Sequence, residues 1–134
     1  MPATFPEQPD NLRQSRHHFP SPARDMREAR LSLDQLTHLH APQVFPFRAS
    51  NDSLRGHGIH ADDVLIVDRA LPPLPGMLVV AVVDDRFVMR ELHHEHGRPV
   101  LLSSHPDYPP LKPDGDLQIW GVITFSLRQH GRRP

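Results

Sequence analysis

The segment A-S-N-D-S-L at 49–54 contains a serine, Ser53, whose hydroxyl could attack a carbonyl carbon. A serine hydroxyl is a poor nucleophile unless a nearby base removes its proton. An imidazole can take that proton, and His57 and His60 follow the serine closely, but no motif directs either ring back to it. The only lysine of the chain, Lys112, lies in a proline-flanked loop. Ser53 is therefore a candidate nucleophile for which the base has to be found elsewhere.

A second segment, R-F-V-M-R-E-L at 86–92, contains Arg90. Side chains alternate between the two faces of a strand, so Arg90 is expected on the same face as Val88 and Leu92. In such a partly apolar neighbourhood, the guanidinium should reach for water, for Asp52 or for a backbone carbonyl. An ordinary solvated strand arginine is the alternative. Arginine cannot act as a base, because its pKa lies above about 12 and forming the neutral species near pH 7 costs roughly 7 kcal/mol.

Together these segments resemble the LexA/UmuD family of self-cleaving serine proteins, and within it the short UmuD branch. N-D-S-L at 51–54 stands where the family has G-D-S-M, and the pattern G-I-x-x-x-D-x-L-I-V-D is kept at Gly58–Asp68. The segment that contains Arg90 resembles D-G-E-F-x-V-K-K-L. The resemblance runs from Phe19 to about Leu127, which is most of the chain.

The resemblance implies that Ser53 occupies the nucleophile position of a Ser-Lys dyad and that Arg90 occupies the position of the general-base lysine. In the family, the N-terminal arm is cut at a Cys-Gly or Ala-Gly bond just before F-P-S-P-A. This chain keeps F-P-S-P-A at Phe19–Ala23 but has His17 and His18 at the cleavage-site position. The family is one of serine peptidases, but we expect self-cleavage here to be absent or strongly impaired.

The function that the resemblance implies is that of a UmuD-like accessory subunit of an error-prone translesion DNA polymerase in the SOS response to DNA damage. The expected partners are a second copy of the chain, a UmuC-type Y-family polymerase subunit and the RecA–single-stranded DNA filament. One alternative is an active, RecA-stimulated self-cleaving peptidase that uses an unrecognised base. A LexA-like repressor is a weaker alternative, because forty proline-rich residues with at most one helix cannot supply a helix-turn-helix module.

The run H-H-E-H at His93–His96 raises the question of a metal site. His94 and His96 could share one strand face, but zinc needs a third and often a fourth ligand, and no other pair has convincing spacing. A polar hairpin extension is the favoured interpretation, so neither a metal nor another cofactor is expected. Arg128, Arg132 and Arg133 are expected to form a solvated tail.

Composition narrows the class of protein further. The net charge is −1 with neutral histidines, which gives no general attraction to DNA, so direct sequence-specific DNA binding is not expected. The chain has no cysteine and no apolar run long enough for a membrane span. The N-terminus lacks the basic start and apolar core of a signal peptide, so a cytoplasmic, membrane-free protein is predicted.

The elements that must position these residues are predicted to be mainly β. Six segments rich in branched and aromatic residues predict a folded sheet or partly closed barrel of about six or seven short strands. Met77–Val83 should be a central strand covered on both faces, followed by a tight turn at Asp84-Asp85. The predicted organisation is a flexible proline-rich arm at 1–40 with one short helix near 33–39, a β domain at 41–128 and a tail at 129–134. A longer amphipathic helix from Met26 is an alternative.

Overall fold

The computed structural model describes residues 30–114 and 117–131. The chain divides into two units, Met1–Ser32 and Leu33–Pro134, and the elements below belong to the second. They are helix α1 (Leu33–Thr37), strands β1 (Val44–Arg48), β2 (Val64–Asp68), β3 (Leu78–Val83), β4 (Arg86–Glu95), β5 (Arg98–Leu102) and β6 (Leu117–Leu127), and a 3-10 turn at Arg55–His57. His17 and His18, like most of the predicted arm, lie outside the described residues.

The six strands form one antiparallel sheet in the order β1-β2-β6-β3-β4-β5. The prediction of a mainly β fold is confirmed, and all six predicted strand segments are strands. The sheet is open rather than closed into a barrel, with β1 and β5 at its edges. The predicted short helix is present but ends at Thr37, and the longer helix from Met26 is wrong because Arg30–Ser32 are not helical.

Apolar clusters cover both faces of the sheet. Val80 and Met89 belong to one cluster, whereas Val79, Ala81 and Leu92 belong to the other. Neighbouring residues of β3 thus enter different clusters, as the alternation of side chains requires. The prediction that this strand is covered on both faces is confirmed.

Tight hairpins connect β3 to β4 and β4 to β5. Asp84 and Asp85 both have positive φ, 50° and 66°, which is the backbone of a type I′ turn, and Val83 pairs with Arg86 across it. The second hairpin turns at His96-Gly97, also with positive φ at both residues. H-H-E-H is therefore a polar hairpin extension, as favoured. Among the described residues, no group of three or more His, Asp or Glu side chains is arranged to hold a metal ion.

The prediction of a solvated tail is wrong for Arg128. Its Nε and Nη2 atoms each donate to one carboxylate oxygen of Asp63, both at 2.9 Å, and Nη2 also donates to the carbonyl oxygen of Gly58. Asp63 is buried, so this paired contact ties the end of β6 to the start of β2. Arg132 and Arg133 lie outside the described residues.

Within the part of the chain that is described, no helix is long and apolar enough to cross a membrane.

Candidate functional site

The loop that carries Ser53 is held by its own polar side chains. The Asn51 side-chain oxygen accepts a hydrogen bond from the Ser53 backbone N–H at 2.9 Å. Asp52 accepts one from the Ala61 N–H at 2.9 Å, a contact that lowers the pKa of the Asp52 carboxyl. Gly58 ends the following 3-10 turn with a φ of 81°. An Asx-type turn of this kind is a common role of Asn at such positions, and it holds the backbone that presents Ser53.

Ser53 and Arg90 meet at one atom, the backbone carbonyl oxygen of Met89. The Ser53 hydroxyl donates to that oxygen at 3.1 Å, and Arg90 Nη1 donates to it at 2.8 Å. Because both side chains reach the same acceptor, their polar atoms lie within about 6 Å of each other. The hydroxyl proton of Ser53 therefore points at a carbonyl group, which cannot remove it.

Arg90 is buried, with 6% of its surface exposed. It pairs with Val79 across the sheet and lies on the Leu92 face, as the alternation predicted, and its guanidinium reaches a backbone carbonyl rather than Asp52. The Tyr108 ring lies 5.6 Å from the guanidinium carbon. Burial lowers the pKa of Arg90, because desolvation disfavours the charged form.

The Arg90 charge has little compensation in this pocket. Among the described residues, its buried Nε atom has no hydrogen-bond partner, and no carboxylate forms an ion pair with the guanidinium. A pocket that desolvates a cation in this way would favour the neutral form of a lysine. With arginine in place, the same pocket holds a charge that cannot be discharged near neutral pH.

The other candidate bases do not contact Ser53. Lys112 pairs with Glu95 at 3.1 Å in an exposed contact. His57 lies against Ser104 and Glu91. The His60 backbone N–H donates to Asp63. The structure therefore brings Ser53 together with Arg90 and places these three residues elsewhere.

A group that the sequence did not indicate lies beside this pocket. His57 Nδ1 is 3.2 Å from the Ser104 hydroxyl, and His57 Nε2 is 3.1 Å from one Glu91 oxygen. The other Glu91 oxygen is 2.8 Å from His93 Nε2. We call these four residues the Ser104 cluster. Its members come from three separate segments with no shared motif, so no local signal could have found it.

The fold and this site define a class of protein. An open six-stranded antiparallel sheet carries a buried serine beside a buried arginine from the β3–β4 hairpin, and this mainly β layout is that of a peptidase-like domain. A model of the family described as Peptidase S24-like matches residues 13–124. The chain belongs to this family, as a UmuD-like member of its LexA/UmuD group. This membership connects the chain with the SOS response to DNA damage.

Several curated proteins are similar to the chain over most of its length. Protein SamA of Salmonella typhimurium is 39% identical over 83% of this chain and 78% of its own length. Protein MucA of Escherichia coli is 36% identical over 84% of this chain and 78% of its own length. The LexA repressor of Verrucomicrobium spinosum is 31% identical over 79% of this chain, which spans 53% of that repressor.

Proposed function

We propose that the chain is an accessory subunit of an error-prone translesion DNA polymerase, acting by protein–protein contact rather than by self-cleavage. In this proposal it forms a homodimer in the cytoplasm and binds a UmuC-type Y-family polymerase subunit and the RecA–single-stranded DNA filament. The similarity to SamA and MucA over more than four fifths of the chain supports a UmuD-like role. The edge strand β1 offers backbone groups to which a second chain could add, whereas on β5 Leu101 is already paired with Leu111.

One observation carries the proposal that the serine is inert. Ser53 donates its hydroxyl proton to the Met89 carbonyl, and Arg90 occupies the same acceptor from the other side. To act as a base, the guanidinium would have to lose a proton at a cost of roughly 7 kcal/mol, which corresponds to a rate loss of about five orders of magnitude. Burial lowers the pKa of Arg90, but a guanidinium remains protonated in proteins near neutral pH.

The alternative of an active peptidase requires another base. The nearest imidazole in the sequence, His57, is hydrogen-bonded to Ser104 and Glu91, and it would have to leave both to serve Ser53. The LexA-like alternative requires a DNA-reading module, and the net charge of −1 does not favour DNA binding.

The first experiment restores both the base and the cleavage-site residues of the family. Purified full-length protein is incubated with RecA filament on single-stranded DNA, and we expect no cleavage before Phe19. The variant Arg90→Lys with His17→Ala and His18→Gly should be cleaved there at least about 10²-fold faster than the unaltered chain, which is the usual contribution of a positioned base.

Two controls make the result specific. Arg86→Lys, on an exposed arginine of the same strand, should not confer cleavage on the His17→Ala, His18→Gly chain. Ser53→Ala should abolish any cleavage that Arg90→Lys creates. Cleavage of the unaltered chain that depends on Ser53 would contradict the proposal. No cleavage of the restored variant would contradict the inference that base and bond are what is missing.

A second experiment addresses the partners. Sedimentation equilibrium should show a dimer, and a purified Y-family polymerase of the UmuC type should co-elute with it in size-exclusion chromatography. A monomer that elutes apart from the polymerase would refute the docking role, whatever the outcome of the cleavage assay.

A further inference from the structure

In the Ser104 cluster, a hydroxyl, an imidazole and a carboxylate contact one another in series. Ser104 contacts one ring nitrogen of His57, and Glu91 contacts the other, at 3.2 and 3.1 Å. The carboxylate of Glu91 can only accept a hydrogen bond, so His57 Nε2 carries the proton in the neutral ring. His57 Nδ1 is then an acceptor, and the Ser104 hydroxyl donates its proton to it. Glu91 thus orients an imidazole whose free lone pair faces a serine.

Backbone contacts hold Ser104 in this position. Its oxygen accepts a hydrogen bond from the Gly56 N–H at 2.9 Å, and its own N–H donates to the Ser53 carbonyl at 2.8 Å. A Cβ atom at position 56 would lie 2.7 Å from the Ser104 Cβ, so a glycine is required for this approach. The contact brings Ser104 to the loop that presents His57.

The imidazole and the carboxylate are open to small molecules. Their side chains are 31% and 24% exposed, and Ser104 is half-buried. Ser53, in contrast, has no exposed surface. His93 contacts the second oxygen of Glu91 and fixes the carboxylate from the far side.

We propose that Ser104, His57 and Glu91 form a second nucleophilic site, independent of Ser53, that reacts with small activated esters. The Ser104 oxygen attacks the ester carbonyl carbon while its proton passes to His57 Nδ1. The carbon–oxygen bond to the alcohol breaks, and His57 returns the proton to the leaving alkoxide. Water then hydrolyses the acyl-serine, with His57 taking a proton from the water and giving it to the Ser104 oxygen as that serine leaves. Glu91 is a positioning residue throughout.

The neighbouring serine provides a matched control. Ser103 is half-buried like Ser104, but its hydroxyl lies within hydrogen-bonding distance of the carbonyl oxygens of His105 and Tyr108, and its one proton can be donated to either. No base faces it. The two adjacent serines therefore differ in the groups that their hydroxyl protons contact.

The test uses p-nitrophenyl acetate with the full-length protein and site-resolved mass spectrometry. We expect a burst of nitrophenolate and an acetyl group on Ser104, at a rate about 10²-fold above that of His57→Gln. Ser103→Ala should leave the burst unchanged. Glu91→Gln should slow the burst, and Glu91→Asp should restore part of it. Acetyl groups only on other residues, or acetylation of Ser104 at the same rate in His57→Gln, would overturn the proposal.

A second measurement does not depend on Ser104→Ala keeping its fold. Because the chain has no cysteine, Ser104→Cys and Ser103→Cys each introduce a single reporter thiol. The thiol at 104 should react with iodoacetamide at pH 7 at least tenfold faster than the thiol at 103, because the imidazole takes its proton. His57→Gln should remove this difference. Equal rates at the two positions would refute the activation of position 104.

Discussion

Arg90 brings a positive charge into the interior without a carboxylate partner among the described residues. Its Nη1 atom donates a hydrogen bond to the Met89 carbonyl, while its buried Nε atom has no partner in the described part of the chain. Removing a cation from water costs several kcal/mol unless a counter-charge and full hydrogen bonding offset it. We therefore expect Arg90 to lower the stability of the fold that surrounds it.

Arg90→Met should raise the free energy of unfolding by about 1–3 kcal/mol, because an apolar side chain of similar length replaces an uncompensated buried charge. The Met89 carbonyl keeps a partner in the Ser53 hydroxyl, so the substitution leaves no new orphan acceptor. Urea unfolding measures the change. The control Arg86→Met, at an exposed position of the same strand, should change the value by less than about 0.5 kcal/mol. A loss of stability in Arg90→Met would show that the guanidinium contacts outweigh its desolvation.

Asp63 is also a buried charged group but, unlike Arg90, it has a counter-charge. Arg128 donates a hydrogen bond to each of its two carboxylate oxygens. The paired arginine lowers the pKa of Asp63 below its ordinary 3.8. The pair therefore stabilises the fold fully above about pH 4, where the unfolded chain's aspartate is ionised, and this contribution disappears as the pH falls through the lower folded-state pKa.

Asp63→Asn should lower the free energy of unfolding at pH 7, because the buried side chain at position 63 loses the charge that accepts both hydrogen bonds from Arg128. The difference between the unaltered chain and the variant should shrink as the pH is lowered below about 4. Urea titrations at pH 7, 4 and 3 measure both effects. A difference that stays constant from pH 7 to 3 would contradict the assigned pKa direction.

At the level of elements, the hairpin from β3 to β4 determines where Met89 and Arg90 lie. Its two turn residues, Asp84 and Asp85, both adopt positive φ, a backbone that Asp tolerates better than most residues with a Cβ atom but less readily than glycine. Two adjacent carboxylates also repel each other. Asp-Asp is therefore not the preferred residue pair for this turn, although the type I′ geometry matches the twist of the strands.

Replacing the turn by Asp84→Asn and Asp85→Gly should raise the free energy of unfolding by about 1 kcal/mol, because Asn-Gly is preferred in type I′ turns. Thermal unfolding followed by circular dichroism measures it. Asp85→Ala should instead lower the stability, since alanine gains nothing at positive φ. Equal effects of the two substitutions would contradict the turn geometry.

At the level of the whole molecule, β6 joins the two halves of the sheet by lying between β2 and β3. Gly121 permits this packing, because a Cβ atom there would lie 2.5 Å from Val67 Cγ1 and 3.2 Å from the Asp68 carbonyl oxygen. The close approach lets β6 pair with β2 on one side and with β3 on the other.

Gly121→Ala should lower the free energy of unfolding by about 2 kcal/mol or more, since overpacking forces neighbouring groups apart. Val67→Ala in the same chain should recover part of that loss, because it removes the nearer obstacle but not the backbone oxygen. A double-mutant cycle measures the coupling between the two positions. Purely additive effects would show that the two residues do not compete for the same space.

The sequence by itself determined the strands, the turn at Asp84-Asp85, the faces of Arg90 and Leu92, and the family. These follow from branched residues, alternation, turn chemistry and motif spacing, which are all local properties of the chain. It also determined that an arginine cannot serve as a base, because that follows from the chemistry of one side chain.

Only the tertiary structure decided which groups meet. The Met89 carbonyl joins Ser53 to Arg90, Arg128 reaches back to Asp63, and His57 turns to Ser104 rather than to Ser53. Most of these contacts link segments more than thirty residues apart, and their geometry depends on how the loops pack on the curved sheet. Local periodicity gives the face of a side chain but not the partner it finds there, and for that reason the Ser104 cluster was invisible in the sequence.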